Sequence, residues 1–146
     1  GKRLMKGYWG DDTNKALNSE GWLHTGDLGY RDEDGYIFLT GRAREIIKRG
    51  GEMISPEEVE ETLERHEAVR EASVIGVPDT TWGELVHAVV VIEDGASVSE
   101  AELIEHTRKA LASYKKPEKI YFTDELPRNA LGKVIRPLVK EQFGGD

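Results

Sequence analysis

The chain contains no cysteine, which excludes a disulfide framework, a thiolate metal site and a thiol nucleophile. No apolar run is long enough to cross a bilayer, and the opening Gly1-Lys2-Arg3-Leu4-Met5 lacks the apolar stretch of a secretory signal. Positive charge is in deficit: 20 Lys and Arg face 28 Asp and Glu, for a formal net charge of -8. The overall field therefore repels polyanions, so bulk nucleic-acid binding is not expected, although a nucleotide can still sit at a local basic site. The four histidines, His24, His66, His87 and His106, are scattered. They offer neither a zinc spacing nor a Ser-His-Asp constellation, and no metal site is expected. The setting these absences favour is cytoplasmic, and the missing initiator methionine makes an excised part of a longer chain the expectation.

What is present supports one core and part of another, since 38% of 146 residues are hydrophobic. Residues 1–40 are rich in glycine, aromatics and turn signals. Asp11-Asp12-Thr13 can cap a short helix through Leu17, and residues 21–30 read as turn, strand, turn. Arg31-Asp32-Glu33-Asp34-Gly35 predicts a tight hairpin turn followed by a strand over 36–40. A calcium loop is the rival for this acidic run, but the regular oxygen-ligand spacing and the closing glutamate are missing.

Beyond residue 50 helices and strands alternate. Ser55-Pro56-Glu57-Glu58 predicts a helix start with a capping box, its Val59, Leu63 and His66 on one face. The β-branched runs 72–77 and 85–92 predict buried strands, separated by an irregular loop containing Trp82. Ser99-Glu100-Ala101-Glu102 is a second capping box, opening a helix that should stop near Tyr114 because Pro117 disfavours helical geometry before it. A short strand over 119–122, a loop over 126–133 and a helix from Pro137 to about Phe143 complete a small three-stranded sheet with helices, a domain distinct from residues 1–40.

Three charged sites stand in glycine-rich loops. Asp27, in Thr25-Gly26-Asp27, can accept hydrogen bonds from the two hydroxyls of a ribose, or simply satisfy backbone amides in its turn. Gly41-Arg42-Ala43-Arg44-Glu45-Ile46-Ile47-Lys48-Arg49-Gly50-Gly51 offers Arg42 as a five-donor fork for phosphate or ribose oxygens and Lys48 as a mobile point charge. Its plainer reading is a solvated cationic strand edge that resists aggregation. Lys133, after Gly132 in a C-terminal loop, can reach a phosphate and neutralise charge developing there, or be an ordinary surface lysine. Trp82 can stack on a purine or cap the edge of the core.

Together, Met5-Lys6-Gly7-Tyr8-Trp9, Gly21-Trp22-Leu23-His24-Thr25-Gly26-Asp27-Leu28-Gly29, the segment 41–51, Pro56-Glu57-Glu58-Val59-Glu60, Trp82-Gly83-Glu84 and Leu126-Pro127-Arg128-Asn129-Ala130-Leu131-Gly132-Lys133 resemble the adenylate-forming superfamily of acyl-CoA synthetases, adenylation domains and luciferases. The resemblance implies an α+β fold: a small C-terminal domain over 42–146 with a three-stranded mixed sheet and flanking helices. A β-rich remnant of a large N-terminal domain over 1–41 and a two-stranded hairpin at the hinge precede it. It implies ATP-dependent activation of a carboxylate as an acyl-adenylate, then transfer to the thiol of CoA, with the small domain rotating between the steps. Asp27 and Arg42 then bind the nucleotide, and Lys133 is the catalytic lysine of adenylation. Arg44 stands at the hinge, where the superfamily usually has Asp or Lys. Lys48, Gly50, Gly51 and Trp82 belong to the thioester-forming face. ATP or AMP, Mg2+ held mainly by the absent domain, and CoA are the implied cofactors, and the chain alone is expected to be inactive. The 127–133 wording resembles that of fatty acyl- or malonyl-type CoA synthetases, although the chain cannot name the acid because the acid pocket belongs to the absent domain. A carrier-protein thiol in place of CoA, a non-catalytic nucleotide- or protein-binding module, and homo-oligomerisation through the full-length enzyme remain open.

Overall fold

A computed structural model describes residues 18–145; the motif at 5–9 and the helix expected from Asp11 lie outside the described residues. The first elements are β1 (Asp27–Arg31) and β2 (Ile37–Arg42), an antiparallel pair forming a sheet of their own. The acidic run between them is a turn. Gly35 takes φ 90°, its amide donates to the Asp32 carbonyl, and the Tyr36 amide donates to the Asp32 carboxylate at 2.8 Å. Tyr30 opposes Phe38 across the pair, with the rings stacked 5.2 Å apart. Tyr30, Ile37, Phe38 and Leu39 are nonetheless exposed.

The remaining strands form one mixed sheet: β3 (Ile47–Arg49), β4 (Glu52–Ile54), β5 (Val69–Asp79), β6 (Gly83–Ile92) and β7 (Lys119–Phe122). The expected three strands are its centre, with β5 antiparallel and β7 parallel to β6. The β3–β4 hairpin, just after the position anticipated as a hinge, joins through one rung, Arg49 opposite Gly83. Side chains alternate along β5 and β6 as strand geometry requires. Ala72, Val74, Val86, Ala88 and Val90 point to one face, where they pack with Val59, Leu63 and Leu103. Ile75, Val77, Val89 and Val91 point to the other, where they pack with Leu126 and Val139.

Helices α1 (Pro56–Glu64) and α2 (Glu100–Ala110) cover the first face and α3 (Arg136–Phe143) the second. The capping box at Ser99 forms in full: its hydroxyl accepts the Glu102 amide and the Glu102 carboxylate accepts the Ser99 amide. At Ser55 the expected box does not form. The Ser55 hydroxyl instead donates to the Thr40 carbonyl at 2.6 Å, pinning the end of β2 to the start of α1, and Pro56 at the first helical position carries the initiation. Helix α2 ends at Ala110, earlier than Tyr114, which falls in a separate 3-10 turn over Ser113–Lys115.

Candidate functional site

Asp27 and Arg42 occupy facing positions of β1 and β2, and this register creates an ion pair of 2.9 Å between Arg42 Nε and an Asp27 oxygen. The Arg42 fork also donates to the Thr25 carbonyl at 3.3 Å. Both side chains keep solvent access, and with Gly41, Ser55, Glu57 and Glu58 they line an open cleft of about 630 Å³. Asp27 thus retains lone pairs for a diol, and Arg42 retains N–H groups for anionic oxygens.

Lys133 is exposed at the rim of a small closed loop. Asn129 and Lys133 exchange backbone and side-chain hydrogen bonds: the Asn129 amide donates to the Lys133 carbonyl, and the Asn129 side chain accepts the Lys133 and Leu131 amides. Arg128 donates to the Gly132 carbonyl at 2.6 Å and pairs with Glu71 near the start of β5. The backbone is therefore held while the lysine side chain projects freely.

Lys48, Gly50, Gly51 and Trp82 gather at the opposite tip of the sheet. Gly50 and Gly51 have φ values of 57° and 89°, a region costly for any residue with a Cβ. The Gly50 amide donates to the Trp82 carbonyl at 2.8 Å, and a Cβ on Gly50 would lie 3.0 Å from the Trp82 ring. The Lys48 amide donates to Glu84 at 2.9 Å, leaving its ammonium outward. Trp82 is half exposed, so it does not merely cap the core.

Arg49 was not singled out from sequence. It lies 5.8 Å from the Trp82 ring centre, donates to the Tyr114 carbonyl at 3.1 Å and meets Glu118 at 2.5 Å. Burial opposes ionisation of Glu118, but hydrogen bonds from Arg49 and Lys116 outweigh it and hold its carboxyl below the ordinary value.

Arg44 lies in the turn between β2 and β3, where the Glu45 amide donates to the Arg42 carbonyl at 3.0 Å. Its neighbour Glu45 pairs with Arg136 at the start of α3. Arg136 also meets both Glu60 oxygens at 3.0 Å and Glu57 at 3.6 Å. Burial pushes the Glu60 carboxyl up to about 8, opposed by the Val74 amide it accepts, and burial lowers the Arg136 guanidinium from its usual value. Among the described residues no His, Asp and Glu side chains group as a metal-ligand set.

The Lys133 loop and the glycine tip lie toward opposite ends of the β5–β6 ribbon. The Lys133 loop is fastened at Glu71 and the glycine tip hangs from the β5–β6 turn after Asp79. Eight strand residues at about 3.3 Å each separate them by roughly 25 Å.

Residues 58–133 match the AMP-binding enzyme C-terminal domain, and the chain belongs to that family. The fold shared with solved adenylate-forming enzymes extends past those bounds. The ATP-bound structure of MatB from Rhodopseudomonas palustris aligns over 99% of this chain and 29% of its own, with a TM-score of 0.90 and 38% identity. The apo structure of the same protein aligns over the same shares, again at 38% identity, with a TM-score of 0.73. Among curated relatives, a sulfoacetate–CoA ligase from Cupriavidus necator is 46% identical over 93% of this chain and 27% of its own length. A long-chain-fatty-acid–CoA ligase from Bacillus subtilis is 45% identical over 97% of this chain and 26% of its own. The chain thus spans about a quarter of the length of these relatives.

Proposed function

We propose that this chain supplies the C-terminal domain, residues 42–146 with the hinge near Arg44, and the end of the preceding domain, residues 1–41, of an AMP-forming acyl-CoA synthetase. A carboxylate attacks the α-phosphate of ATP to give an acyl-adenylate and pyrophosphate, and the thiol of CoA then displaces AMP. The observation that carries the reading is the separation of the two candidate groups along β5–β6. Groups roughly 25 Å apart on one body cannot serve one reacting centre together, but they can serve it in turn if the body rotates. The higher TM-score against ATP-bound than against apo MatB supports a swivelling joint.

In this reading Asp27 accepts hydrogen bonds from the ribose hydroxyls, while Arg42, paired to it, orients the carboxylate and reaches the nucleotide. The Lys133 ammonium approaches the carboxylate and α-phosphate oxygens and stabilises the negative charge that gathers there. At the other end Gly50 and Gly51 present bare backbone along which a narrow thiol-bearing arm can pass, Lys48 offers positive charge to anionic groups, and Trp82 offers a ring face to the nucleotide end of CoA. Mg2+ would accompany ATP on residues outside this chain. The setting proposed is the cytoplasm.

The acid bound is the finer question. Relatives named for sulfoacetate and for long-chain fatty acids are equally similar over this segment, so selectivity for the acid resides beyond it; the 127–133 wording bears on the class of synthetase, fatty acyl- or malonyl-type, and not on the acid itself. The decisive experiment is Lys133→Ala in the full-length enzyme. Acid-dependent pyrophosphate release should fall by about 10²–10³-fold, while thioester formation from preformed acyl-adenylate is largely retained. Equal losses in both half-reactions would refute the assignment.

A further inference from the structure

Arg136 is joined to more of the molecule than any packing role requires. It stands three residues beyond Lys133, at the first position of α3. Its guanidinium meets Glu45, the residue after the proposed hinge position, together with Glu57 and Glu60 on α1. Glu60 in turn accepts the Val74 amide at 2.7 Å, fixing α1 to the middle of β5. One side chain therefore ties the loop that carries Lys133 to the joint, the first helix and the central ribbon.

The surroundings are built for orientation. Arg136 lines a polar cavity of about 330 Å³ with Glu45, Ser73, Asn129 and Val134. The buried Arg136 Nε and Ser73 Oγ have no hydrogen-bond partner among the described residues, and Asn129 is the residue that closes the Lys133 loop. An arginine fork donating to more than one carboxyl group defines an angle as well as a distance, which a lysine at the same place would not.

We infer that Arg136 is a positioning residue for the adenylation step: through Glu45 it sets the angle between the joint and the Lys133 loop. The inference rests on the role proposed for Lys133 and adds a coupling between Lys133 and the backbone turn at Arg44. Loosening the Arg136–Glu45 pair lets Lys133 stray from the reacting oxygens without changing what binds there. Displacements of about 1 Å at a reacting centre cost on the order of 10²-fold in rate.

The test uses the full-length enzyme and the variants Glu45→Gln, Arg136→Lys, Arg136→Gln and the double variant Glu45→Gln/Arg136→Gln, with each half-reaction and thermal unfolding measured separately. Glu45→Gln, the mildest change, should lower kcat for pyrophosphate release by about 10- to 100-fold, with KM for ATP and thioester formation from preformed acyl-adenylate nearly unchanged. The double variant should be no worse than Arg136→Gln alone, because both remove one coupling, and Arg136→Lys should recover part of the rate. Parallel loss in both half-reactions tracking a lower unfolding temperature, or additive effects in the double variant, would overturn the inference. Lys133→Ala measured alongside separates the two levels: if it spares pyrophosphate release, the underlying role of Lys133 fails; if it abolishes release while Glu45→Gln changes nothing, only the coupling fails.

Discussion

The hairpin β1–β2 and the ribbon β5–β6 are both antiparallel pairs of apolar-rich strands, yet they lead opposite lives. In the ribbon each face has a helix against it, and Val74, Ile75, Val86, Val89 and Val90 are almost wholly buried. In the hairpin every residue of β1 is exposed, and Ile37 and Leu39 are each 74% exposed. Among the described residues its strands pair only with each other, and their contacts to the rest run mainly through Thr40, Gly41 and the start of α1. Two strands with no covered face are marginal in water, and a patch of this kind is characteristic of a surface made to be covered. Similar sequence chemistry thus yields a buried core in one place and an exposed surface in the other, and the helices packed against the ribbon make the difference.

The largest predicted effect is in the ribbon's core. Leu63, fully buried on α1 against the first face, should cost about 2–5 kcal/mol when changed to Ala, read from urea unfolding of the chain. A loss well under that range would show the ribbon to be no more self-sufficient than the hairpin.

A second break acts through protons. Burial raises the Glu60 carboxyl from 4.5 to about 8, so the fold keeps a proton there that the unfolded chain has released above about 4.5. The fold binds more protons than the unfolded chain between those values, and stability must decline as pH rises toward and through 8. Urea midpoints at pH 6 and pH 9 should show this decline, and Glu60→Gln, which cannot ionise, should reduce it. An identical slope in the variant would mean that Arg136 keeps Glu60 charged in the fold.

At the tip, Gly50→Ala meets both the positive φ and the Trp82 ring, and should destabilise by roughly 1–2 kcal/mol. Its sharper readout is the thioester half-reaction of the full-length enzyme, which should weaken more than adenylation. The smallest effect belongs to the hairpin: Leu39→Ser in this chain should stay within about 0.5 kcal/mol. A larger loss would reveal a packing partner for the hairpin and erase the contrast.

The ribbon was legible because burial on both faces writes continuous β-branched runs into the sequence, and Ser99 was legible because its whole cap lies within four residues. Ser55 carries nearly the same local signature, yet its hydroxyl serves Thr40, 15 residues earlier, and no local pattern announces that competitor. The candidate site divides in the same way. Glycines at 50 and 51 declare an unusual backbone, and Asp27 and Arg42 stand in recognisable company, but that they pair with one another only the strand register reveals. Nothing local announces what Arg49 and Arg136 meet, because their partners Glu118 and Glu60 are 69 and 76 residues away. Long-range ion pairs have no period and no motif; only the folded chain shows which of many charges meet.

The spacing along the ribbon also sets a clock. If one reacting centre calls first on the Lys133 loop and then on the glycine tip, the two must exchange places by a movement on the order of 25 Å, far beyond side-chain rearrangement. Collective motions of that size run on microseconds to milliseconds, and each complete cycle contains the movement and its reversal. Turnover in such an enzyme would then respond to solvent viscosity even where the chemistry itself is fast.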